Sequence, residues 1–66
     1  MANKWEEAHK DGYNAGVSAK SKGIEMSWAN AEYSYDMAGY NRKDMAVRTI
    51  FMRAYQEGYL AKDESK

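Results

Sequence analysis

Two segments of this chain, one near each end, carry small residues at helical spacing, and this pattern limits the fold more than any other feature. The first reads Trp5, Ala8, Gly12, Ala15/Gly16, Ala19; the second reads Phe51, Ala54, Gly58, Ala61. Residues three and four apart share one helical face. A face made of Gly and Ala presents almost no side-chain bulk, so it suits very close approach of another helix. Glycine within a helix costs about 1 kcal/mol relative to alanine, and close packing at Gly12 and Gly58 is the gain that offsets it. A displacement of 46 positions superposes Trp5 on Phe51, Ala8 on Ala54, Gly12 on Gly58 and Tyr13 on Tyr59. The two terminal helices are therefore expected to share one packing design, with Trp5 and Phe51 as the bulky core anchors. The sequence leaves open whether these stripes also support a homodimer.

The rest of the chain agrees with an all-α fold, a small three-helix bundle forming a single domain over residues 1–66. It contains no proline, favours helix-forming residues and shows no sustained period-2 alternation. Asn3 with Glu6 forms a capping-box-like start for a helix over about 4–19, and Lys20-Ser21-Lys22-Gly23 reads as its end, with Gly23 at C′. Ser27 caps a second helix over about 28–40, with Trp28, Ala31, Tyr35 and Ala38/Gly39 on one face. Asp44 caps a third over about 45–62, ahead of the charged tail Asp63-Glu64-Ser65-Lys66. Asn41 to Lys43 reads equally as a turn or as a bend in one long helix.

Chemistry is sparse. With no cysteine and one histidine, His9, the chain lacks the usual means of activating a nucleophile and the three or four clustered ligands of a zinc site. No phosphate-cradling glycine loop is present. No catalytic residue, metal or cofactor is expected, and the chain reads as a binding protein rather than an enzyme. No stretch has the apolar run of a signal peptide or a membrane span, and the absence of cysteine suits a reducing compartment, so a cytoplasmic protein is expected.

Ten basic and ten acidic residues cancel, so contact with nucleic acid depends on a local patch. Arg42, Lys43, Arg48 and Arg53 run through a segment with Asp44 as its one acid, and Lys20 and Lys22 form a second cluster. A compact bundle that placed Lys20, Lys22, Arg42 and Lys43 on one side would suit phosphates, with Tyr40 and Tyr33 available for stacking.

The segment Ala8-His9-Lys10-Asp11-Gly12-Tyr13-Asn14-Ala15-Gly16-Val17, followed by Ser21-Lys22, resembles the first helix of the ribosome modulation factor family. Extended without a gap over about residues 6–45, the resemblance sets Gly39-Tyr40 on the Gly-Trp pair of that family's second helix. Glu25-Met26-Ser27 stands where the family has Cys-Pro-Tyr, and the third helix is additional. The resemblance implies binding to the small ribosomal subunit and its RNA, and translation regulation, through Lys20, Lys22, Arg42, Lys43 and the Gly-Tyr faces. The other reading is a small phage-like inhibitor or adaptor that masks a host protein with exposed aromatics, Tyr13, Trp28, Tyr40 and Tyr59 being the candidates.

Overall fold

The computed structural model describes residues 3–61 and consists of three helices: α1 (Lys4–Ser21), α2 (Trp28–Met37) and α3 (Met45–Leu60). Each start is set by a side-chain cap of the expected kind. Asn3, Ser27 and Asp44 accept from the backbone N–H of Glu6, Asn30 and Val47. The end of α1 is equally local. Gly23 adopts φ +75°, its N–H donates to Lys20 O, and the Ile24 N–H donates to Ala19 O. This is a Schellman closure, with Ile24 folded back toward Ala19.

The second helix is shorter than the sequence suggested. It stops at Met37, and Gly39 takes φ +88°, a left-handed conformation that glycine adopts without strain and that ends the helix. Gly39-Tyr40 therefore lies in the connection and not on a helix, contrary to its position in the family resemblance. Asn41 forms the turn that follows: its side chain accepts from the Lys43 N–H and its carbonyl from the Asp44 N–H. Helices α2 and α3 are thus separate. Helix α3 ends at Leu60; Lys62 and the charged tail fall outside the described residues.

Helices α1 and α3 run parallel and form the main contact of the bundle, with α2 packed antiparallel and less extensively. The register follows from paired contacts along the two chains. Lys4 reaches Asp44 (3.2 Å), Gly12 lies against Phe51 and Ala54, Gly16 against Tyr55 and Tyr59, and the Lys20 ammonium lies 6.0 Å from the centre of the Tyr59 ring. At Gly12, Gly16 and Gly58 a Cβ would overlap the carbonyl oxygen of Phe51, Tyr55 and Tyr13 respectively. In each case the glycine Cα hydrogen takes that place, the arrangement of a weak Cα–H···O contact between helices.

The structural repeat differs by one helical turn from the sequence repeat. Gly16 opposes the Tyr55 carbonyl as Gly58 opposes that of Tyr13, so the reciprocal register is a displacement of 42, not 46. Gly16 thus takes the role that the sequence comparison gave to Gly12. Trp5, aligned with Phe51 under the 46-residue shift, is 55% exposed and is not a core anchor. The α3 N-cap Asp44 is already level with Lys4, so little α3 surface lies opposite Trp5.

Phe51 is buried as expected, and the other large buried side chains are Tyr35, Val47 and Tyr55. Tyr35 brings α2 into the core: its ring meets Phe51 edge-on (5.3 Å, 70°) and stacks on Tyr40 (5.5 Å, 11°). Burial raises the Tyr35 and Tyr55 phenols above their ordinary pKa. Trp28, placed by the sequence on the same face as Tyr35, is 52% exposed at the first position of α2. Among the described residues no helix is long and apolar enough to cross a membrane.

Candidate functional site

The residues expected to form a basic patch do not come together. Lys20 and Lys22 lie at the C-terminal end of α1. Lys43 adjoins Asp44, which is paired with Lys4 at the other end of the same helix. Sixteen residues of helix separate Lys4 from Lys20, about 24 Å at 1.5 Å per residue. A single face holding Lys20, Lys22, Arg42 and Lys43 is therefore not what this fold builds.

Charge at Arg42 is also internally engaged. Its guanidinium contacts Asp36 (3.2 Å) and Glu32 (3.6 Å), while Arg48 holds the same Glu32 carboxylate at 3.0 Å. The Arg48 hydrogen bond and charge, with a smaller contribution from Arg42, lower the Glu32 pKa. These four side chains tie α2 to α3. Tyr40 is half-buried and not a free stacking surface. Its hydroxyl donates to Asp11 Oδ2 (2.6 Å), and burial, reinforced by that bond, pushes its phenol well above the usual range. Tyr13 stacks loosely on His9 (6.5 Å, 21°) while its carbonyl packs against Gly58. His9 itself reaches Glu57 at 3.5 Å. Of the expected site residues, Tyr40 is half-buried, while Tyr13, Lys20, Lys22, Trp28, Arg42 and Lys43 are exposed.

The opening that the fold does create is a groove of about 520 Å³ between α1 and α2. It exists because α1 packs on α3 through glycine, whereas α2 docks on α3 through Tyr35, leaving α1 and α2 apart. Ala15 and Ala19 form the α1 wall, Tyr33 and Met37 the α2 wall, and Phe51 and Tyr55 the floor. Ile24 closes one end, and Asp11 and Lys22 stand on the rim. Tyr33 is 66% and Met37 70% exposed, so two large side chains project at the mouth without a partner among the described residues. Sequence reasoning named Tyr33 only as a stacking residue and passed over Met37. The available signal was a second apolar pair, four residues apart on α2 and offset from the buried Ala31 and Tyr35.

Among the described residues no three His, Cys, Asp or Glu side chains gather as a metal site. Comparison with protein-family models, with curated proteins and with solved structures finds no match for this chain.

Proposed function

We propose that this chain is a small non-catalytic binding protein that engages another protein through the α1–α2 groove, as an inhibitor or adaptor would. The observation that carries this reading is the exposure of Tyr33 and Met37, two large side chains left uncovered on α2 beside the α1–α2 groove. Aromatic residues and methionine are enriched in protein interfaces, and anchors set in a concave, desolvated site dominate their energetics. The ribosomal reading is weaker because Arg42 is paired with Asp36 and Glu32, and the exposed lysines are divided between the two ends of the bundle.

Capture from host lysate, comparing the parent with a Tyr33→Ser/Met37→Ser variant at two salt concentrations and with and without nuclease, tests the choice. The expected result is a protein partner that survives nuclease, changes little between about 50 and 200 mM salt, and is lost in the variant. A phosphate-driven complex weakens steeply over that range. Ribosomal subunits recovered in a nuclease- and salt-sensitive manner by parent and variant alike would replace this reading with the ribosomal one.

A further inference from the structure

We draw no further inference here: the strongest candidate, the α1–α2 groove with Tyr33 and Met37 exposed at its mouth, belongs to the site already described, and nothing in the structure shows what covers it.

Discussion

Gly16 lies so close to Tyr55 that the Tyr55 carbonyl oxygen occupies the space any Cβ at position 16 would need, and Gly58 stands in the same relation to Tyr13. This reciprocal contact locks two parallel helices together and, by drawing α1 onto α3, leaves α1 and α2 separated by the groove.

Replacing Gly16 or Gly58 with alanine should therefore destabilise the protein, although alanine is the better helix former by about 1 kcal/mol. The obstructing atoms are backbone, which cannot rotate aside, so a net cost of about 1–3 kcal/mol is expected. Thermal or urea unfolding measures it. A variant as stable as the parent would show that the helices are not in this register.

Phe51→Ala and Trp5→Ala should behave differently despite their alignment in sequence. Phe51 is fully buried against Tyr35 and Tyr40, and its truncation should cost about 3–5 kcal/mol, comparable to the whole stability of so small a domain. Trp5 is more than half exposed, and its loss should cost at most about 1–2 kcal/mol. Chemical denaturation of the two variants checks the contrast.

High pH should unfold the protein through its tyrosines. Tyr35, Tyr40 and Tyr55 all have phenols raised by burial, with Asp11 adding to the effect at Tyr40. The folded state thus keeps protons that the unfolded chain releases above about pH 10. Their contribution is complete below that value and declines as pH rises toward the folded-state pKa values. Tyr40→Phe should flatten the alkaline limb of a stability-versus-pH curve and lose some stability at neutral pH with the Asp11 hydrogen bond.

At acid pH the sign reverses. Glu32 is lowered chiefly by its hydrogen bond to Arg48, and Asp44 by the Val47 N–H and then Lys4. Their contribution is present above about pH 4–5 and is lost as pH falls through the lowered values. Both groups are exposed enough for solvent and salt to screen them, so Glu32→Gln should alter the acid limb only slightly, as urea melts between pH 2 and 6 would show.

The local signals were legible in sequence because each is completed within a few residues. Asn3, Ser27 and Asp44 cap as expected, Gly23 ends α1, and Gly12 and Gly58 mark the close crossing. Tertiary relationships were less legible. Residue spacing at 46 aligned Trp5 with Phe51, but the packed register is set by which glycine meets which carbonyl, and Gly16 with Tyr55 decides it one turn away. The basic patch failed for a similar reason. A count of Lys and Arg along the chain does not reveal that Glu32 and Asp36 fold onto Arg42, or that parallel α1 and α3 keep Lys20 and Lys43 at opposite ends. The groove had no sequence motif, since it arises from α2 docking through Tyr35 while α1 docks through glycine.

The most direct test of the functional account is photo-cross-linking in host cells from a benzophenone amino acid placed at position 33, with position 43 as the comparison. The account predicts discrete protein adducts from position 33, abolished by Met37→Ser, and none from position 43. RNA adducts from position 43 with none from position 33 would contradict it and return the binding surface to the lysines.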